Sequence, residues 1–130
     1  MAATYLDSSA IVKLAVREPE TDALRRHLRR RRALITSAIA RTEVLRALLP
    51  GGEDAVAAGQ RILSRVDLVR VNDQVLGGAG LLLPMELRSL DAIHLATAAR
   101  LGRDLGEIVT YDQRMALAAQ QMGHKVSSPA

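Results

Sequence analysis

The sequence predicts an α/β protein of three layers, α/β/α, with a central, mostly parallel sheet of about five strands and about seven helices. Three observations carry this. Apolar runs of about four or five residues alternate with helical segments of about ten or more, the pattern of parallel strands joined by helical crossovers. The short runs are mostly apolar without a break, as expected of strands covered on both faces. With 130 residues, 48% apolar and 25% charged, the chain has the size and mix of one globular domain, spanning residues 1–130.

The elements follow in order. Ala2–Leu6 reads as a short strand ending at Asp7, and Ser8–Val16 as a helix with Ile11, Val12, Ala15 and Val16 on one side. Glu18-Pro19-Glu20 places proline and acids where a second helix starts; that helix runs into an arginine run. Ala33–Thr36 is a buried strand, and Thr36 or Ser37 caps a third helix through about Leu49, stopped by Pro50-Gly51-Gly52. Glu53 to about Val66 is a fourth helix and Asp67–Val71 a strand. Asn72 or Asp73 caps a fifth helix, which Pro84 ends. Ser89 caps a sixth helix, Leu90–Leu101, stopped by Gly102. Glu107–Thr110 is a strand, Asp112–Met122 a helix ended by Gly123, and Lys125–Ser127 a last short strand.

Composition narrows the chemistry. Cysteine is absent, which removes disulfides, thiolate nucleophiles and zinc–thiolate sites. Met1–Leu6 is too short an apolar run for a signal peptide, and no apolar stretch approaches the roughly 18 residues of a membrane span; the cytoplasm is the expected location. Lys and Arg number 18 against 14 Asp and Glu, and sixteen of the eighteen are Arg, whose planar fork grips phosphate. That balance points to a nucleic-acid partner or to a GC-rich genome. Tyr5 and Tyr111 are the only aromatic residues among Phe, Trp and Tyr, so base stacking on aromatic platforms is a poor fit.

In open α/β sheets, ligands sit beyond the carboxyl ends of the strands. Asp7 follows the first strand, Thr110 and Asp112 flank the end of the fourth, Asp91 lies in the first turn of the sixth helix, and Glu43 lies about two turns into the third. Alone, Asp7 and Asp112 read equally as N-caps, and Asp91 as an acid answering the helix dipole. Glu43 falls on its helix's apolar arc beside Ile39, Ala40, Val44 and Ala47, which favours a carboxylate aimed into a shared pocket. Clustered carboxylates need compensation. An all-oxygen set without thiols selects Mg²⁺ or Mn²⁺ over Zn²⁺. Two such ions about 3.5–4 Å apart can serve the attacking water and the leaving oxygen of a phosphodiester.

Four segments carry a resemblance: Tyr5-Leu6-Asp7-Ser8-Ser9; Thr36-Ser37 through Thr42-Glu43-Val44; Leu90-Asp91-Ala92-Ile93-His94-Leu95-Ala96-Thr97-Ala98; and Thr110-Tyr111-Asp112. Gly123-His124-Lys125-Val126 adds a closing helix–strand. In order and spacing the chain resembles the PIN-domain family, specifically its VapC-type toxins, over essentially its whole length. The resemblance implies a PIN-like fold with a five-stranded parallel sheet. It also implies Mg²⁺ or Mn²⁺ held by Asp7, Glu43, Asp91 and Asp112, and RNA cleavage leaving 5′-phosphate and 3′-hydroxyl ends. Thr110 and Ser8 would support a carboxylate or water. A homodimer and a separate antitoxin chain are implied as partners.

The run Arg25, Arg26, Arg29, Arg30, Arg31 and Arg32 surrounds Leu24 and Leu28. It reads as a ladder for RNA phosphates, a dock for an acidic antitoxin segment, or a solvated helix face. Gly77-Gly78-Ala79-Gly80 follows no strand and lacks a P-loop lysine, so it reads as a helix-packing segment. His27, His94 and His124 lie on different elements, which removes a paired-histidine mechanism. His94, one turn from Asp91, reads as a residue that orients Asp91 or, chiefly, as packing. A Ser8 or Ser9 nucleophile lacks a paired base. A phosphorylated receiver domain would need a lysine near the end of its last strand, and Lys125 begins that strand. The alternative from another class is a non-catalytic PIN-like module that binds RNA or protein, with the acids as caps.

Overall fold

A computed structural model describes residues 2–31 and 33–130. Along the chain run β1 (Ala3–Leu6), α1 (Ser8–Ala15), α2 (Thr21–Leu28), β2 (Leu34–Ser37), α3 (Ala40–Leu48), α4 (Glu53–Leu63), β3 (Asp67–Val69), α5 (Asp73–Gly80), α6 (Ser89–Ala99), β4 (Leu105–Val109), α7 (Gln113–Gln121) and β5 (Val126–Ser127). Short 3₁₀ turns at Leu49–Gly51 and Gly102–Asp104 follow α3 and α6. Among the described residues this is the predicted set of seven helices and five strands. No described helix is long and apolar enough to cross a membrane.

All four strand pairings are parallel, in the order β3-β2-β1-β4-β5. The chain winds outward from β1 to β3, then returns to β1's other side for β4 and β5. The direction of winding therefore reverses between β1 and β4, where open α/β sheets form their ligand crevice. Alternation along β1 and β4 sends side chains to two cores. Leu6 and Val109 pack with Ile11, Leu24, Val44 and Leu63 from α1 to α4. Tyr5 and Ile108 pack with Leu95 of α6 and Met115 of α7. A third cluster, Val75, Ala79, Ala92 and Ala96, joins α5 to α6.

Several boundaries have clear local causes. The Asn72 side chain accepts from the Val75 amide, which starts α5. Gly123, at φ 88°, ends α7 in the left-handed region, where glycine has no Cβ to clash. Two expected caps are absent. The backbone after β2 first continues onto β3, Ala38 N–H donating to the Val69 carbonyl at 2.8 Å. Ser37 Oγ accepts from Ile39 N–H at 3.3 Å, Thr36 is buried, and α3 begins only at Ala40 with no side-chain cap. Glu43 therefore stands in the first turn of α3, not two turns in. Ser89 does not cap α6: Arg88 holds that position, again without a side-chain bond.

Candidate active site

Pairing of Leu6 with Val109 brings the residues just past β1 and β4 together at the sheet's carboxyl edge. Asp7 is 4% exposed there. Its Oδ1 accepts from the Ala10 amide (3.0 Å) and the Ser9 hydroxyl (2.7 Å), capping α1. Its Oδ2 accepts from the Thr110 hydroxyl at 2.5 Å. Asp7 therefore caps α1 with Oδ1, while Oδ2 turns to Thr110 beyond the end of β4. Thr110 is buried, and its Oγ1 also accepts from the Asp112 amide at 3.1 Å. Asp112 caps α7 with Oδ1, which receives the Arg114 and Met115 amides at 2.9 and 3.1 Å.

Glu43 reaches the same edge from α3. Its Oε1 accepts from the Ser8 hydroxyl at 2.8 Å and lies 2.6 Å from His94 Nε2. Ser8 thus holds one oxygen of this carboxylate. His94 is 1% exposed, and its Nδ1 lies 2.7 Å from the Tyr5 hydroxyl. This histidine does pack in the core, but it also joins Glu43 to β1. Its role is thus more than packing. Its arc on α6, among Ala92, Leu95 and Ala98, gives no sign of a partner; the only hint is a polar ring on a buried face.

Electrostatics tie Asp91 to the other acids. Burial raises its carboxyl above the ordinary range, as do the charges of Asp112, Asp7 and Glu43, while His94 opposes them. Burial likewise raises Asp7, against the bonds from Ser9, Thr110 and Ala10. Burial also pushes on Glu43, but the bond and charge of His94 and the Ser8 hydroxyl outweigh it and hold Glu43 below its usual range. Asp91 thus feels the charges of the three other acids, each from a separate segment. Among the described residues no group of three His, Asp or Glu side chains stands ready to hold a metal ion. The acids share a field but do not form a closed cage. Both oxygens of Asp7, one of Asp112 and one of Glu43 are held by protein donors.

Two clefts open beside these residues. One of about 320 Å³ is lined by Arg88, Asp91, Asp112, Gln113 and Arg114. The other, about 460 Å³, has Ser8, Lys13, Glu43 and Tyr111 in its wall. A larger groove of about 560 Å³, lined by Pro84, Leu87, Arg114 and Leu117, holds none of the four acids.

The arginine run is elsewhere. Leu24 and Leu28 face the core, and Arg25, Arg26, Arg29 and Arg30 are exposed. The chain passes from α2 to the start of β2. This places Arg29 and Arg30 ahead of the start of β2, whereas Asp7 and Asp112 follow the ends of β1 and β4. Arg31 differs from its neighbours: its Nε donates to Glu107 Oε1 at 3.0 Å. Arg32 lies outside the described residues. Glu107 is itself a buried acid that the sequence reading passed over, 2.5 Å from His27 Nε2 and 3.1 Å from the Ser127 hydroxyl. The signal was its inward register with Val109, two residues on.

The chain is similar to known proteins in sequence and in fold. The PIN domain family profile matches residues 4–120. Ribonuclease VapC46 of Mycobacterium tuberculosis is 64% identical over 130 residues, all of both chains. Ribonuclease VapC47 from the same species is 37% identical, covering 96% of each chain. Among solved structures, M. tuberculosis VapC20, described as a sarcin–ricin-loop-cleaving toxin, superposes with a TM-score of 0.74 at 18% identity, covering 89% of this chain and 95% of that one. A toxin–antitoxin complex from Klebsiella pneumoniae gives 0.71 at 20% identity, covering 98% of each. The three-layer arrangement and its parallel sheet are therefore those of the VapC-type structures, and the chain belongs to the PIN-domain family, among its VapC-type members.

Proposed function

We propose that this protein is a Mg²⁺- or Mn²⁺-dependent endoribonuclease, the toxin of a type II toxin–antitoxin pair, acting on RNA in the cytoplasm. One observation carries the reading: Asp7, Glu43, Asp91 and Asp112 arrive from four segments near the point where the sheet's winding reverses, and the charges of the other three add to the burial that raises Asp91. A fold does not gather like charges for stability. The donor set is all oxygen and the chain lacks cysteine, which fits a hard divalent ion. Asp7, Asp91, Asp112 and Glu43 would hold it, and it would supply the charge that activates water and offsets the phosphodiester.

The chain's own residues define the rest. Thr110 fixes Asp7 Oδ2 and, through the Asp112 amide, the start of α7. Glu43, held below its ordinary range, is a weak proton acceptor and a ready ligand. Arg88 and Arg114 line the cleft with Asp91 and Asp112 and supply positive charge for RNA phosphates. The relatives' names support the ribonuclease reading, and the Klebsiella complex supports an antitoxin partner. A second copy of the chain as a dimer partner rests on the family resemblance.

The test separates grip from chemistry. Asp7→Asn is expected to abolish RNA cleavage in a single-turnover assay while RNA still binds on filters. Normal cleavage by that variant would remove the proposed site. Binding with no cleavage by the wild type would favour a non-catalytic module.

A further inference from the structure

Glu43 and His94 come from opposite helical layers. α3 belongs to the cluster with Leu6 and Val109, and α6 to the cluster with Tyr5 and Ile108. Their side chains meet around the end of β1, His94 Nε2 to Glu43 Oε1 at 2.6 Å. Behind His94 the Tyr5 hydroxyl closes on Nδ1 at 2.7 Å, and the two rings stand edge to face, centroids 5.8 Å apart. Tyr5 and His94 are both buried, at 0% and 1% exposure. This chain of contacts runs from the sheet's core to a carboxylate at the cleft.

We propose that His94, braced by Tyr5, is a positioning residue that orients Glu43 for the divalent cation; the inference rests on the reading of Glu43 as a cation ligand. The donors can be assigned by elimination. A phenol has one proton, and a carboxylate only accepts. In a neutral ring, the Tyr5 hydroxyl donates to Nδ1, the ring proton stays on Nε2, and Nε2 donates to Glu43. In a charged ring both nitrogens carry protons, and Nε2 still donates to Glu43. Either form presents the same donor to the same oxygen.

The consequence for Glu43 is specific. The bonds from His94 and Ser8 both fall on Oε1. Among the described residues Oε2 takes no hydrogen bond, which leaves it to face a cation. A flexible glutamate in the first turn of α3 would otherwise sample several rotamers and lose entropy on binding. Carboxylate ligands are commonly oriented by outer partners, whose removal weakens metal affinity about 10–100-fold.

The experiment has two readings on the full-length protein. Long-range ¹H–¹⁵N NMR of the metal-free protein, at a pH where the ring is neutral, is expected to show His94 protonated on Nε2. A proton on Nδ1 would overturn the assignment. Calorimetric titration with Mn²⁺ then compares wild type with His94→Leu, His94→Gln and Tyr5→Phe, each confirmed folded by circular dichroism. His94→Leu is expected to weaken Mn²⁺ about 10-fold or more. His94→Gln, which keeps an N–H at similar reach, should recover most of that loss. Tyr5→Phe keeps the packing, removes the brace, and should fall between. Unchanged affinity in folded His94→Leu, or in Tyr5→Phe if the former fails to fold, refutes the positioning role alone. Absence of Mn²⁺ binding by the wild type refutes the cation reading beneath it.

Discussion

Replacing Thr110 by valine deletes a hydroxyl and keeps the volume and β-branching of the side chain. Thr110 is fully buried, so the change opens no cavity of consequence. Two hydrogen bonds disappear. The 2.5 Å bond to Asp7 Oδ2 is charge-assisted and worth about 1.5–3 kcal/mol. The 3.1 Å bond from the Asp112 amide is an ordinary one, about 0.5–1.5 kcal/mol. Asp7 limits the damage, because burial has already raised its carboxyl and the orphaned oxygen can take up a proton. A net loss of about 2–3 kcal/mol follows, or about 7–11 °C in Tm for a chain of this length. Thermal unfolding without metal measures it, with Thr110→Ser as the control that restores the hydroxyl. In an Asp7→Asn background the cost of Thr110→Val should shrink by about 1 kcal/mol or more, since the charge-assisted bond is already gone. A loss under about 0.5 kcal/mol, within the range of surface changes, would refute the argument. An undiminished loss in the Asp7→Asn background would place the energy elsewhere.

Asp7 and Asp91 have raised carboxyl values relative to 3.8, so each contributes stability that is present below pH 3.8 and lost as pH rises through the folded value. Metal-free Asp91→Asn is therefore expected to match or exceed wild type in stability at neutral pH, and Mg²⁺ should raise its Tm less; a loss above about 1 kcal/mol would mark Asp91 as a structural acid. Glu107 runs the other way. Burial raises it, but the His27 bond and charge, with Arg31 and Ser127, outweigh burial and hold it below 4.5. The stability it contributes is lost as pH falls through that lowered value, and Glu107→Gln should remove this acid limb in a pH series of melts. For RNA grip, Arg88→Ser and Arg114→Ser should each lower the salt slope of log K by about 0.7 in filter binding. Arg25, Arg26, Arg29 and Arg30 changed together to Ser should leave cleavage at saturating RNA unchanged; a collapse of cleavage there would bring α2 to the substrate.

Much of the fold was legible because it is written in local signals. Asn72, Gly123 and the apolar runs of β1 and β4 mark their own boundaries. Asp7, Glu43, Asp91 and Asp112 could be gathered from the sequence because the ends of parallel strands share an edge. The errors came from tertiary contacts. The start of α3 was misplaced because Ala38 stays on the sheet to bond Val69. Ser89 resembles a cap, but Arg88 takes that position. Arg31 looks like its neighbours in the run, and only the distant Glu107 sets it apart. His94 has partners 51 and 89 residues away, which no spacing rule connects.

Cleavage of a structured RNA under single-turnover conditions, across Mg²⁺, Mn²⁺, Zn²⁺ and EDTA, tests the central claim most directly. An all-oxygen set of four acids, in a chain without thiols, predicts activity with Mg²⁺ or Mn²⁺. EDTA should abolish that activity, added Mg²⁺ should restore it, and Zn²⁺ should not. Asp91→Asn should be inactive with every metal. Equal cleavage in EDTA, at the same rate in Asp91→Asn, would contradict the account and move the chemistry away from these four acids.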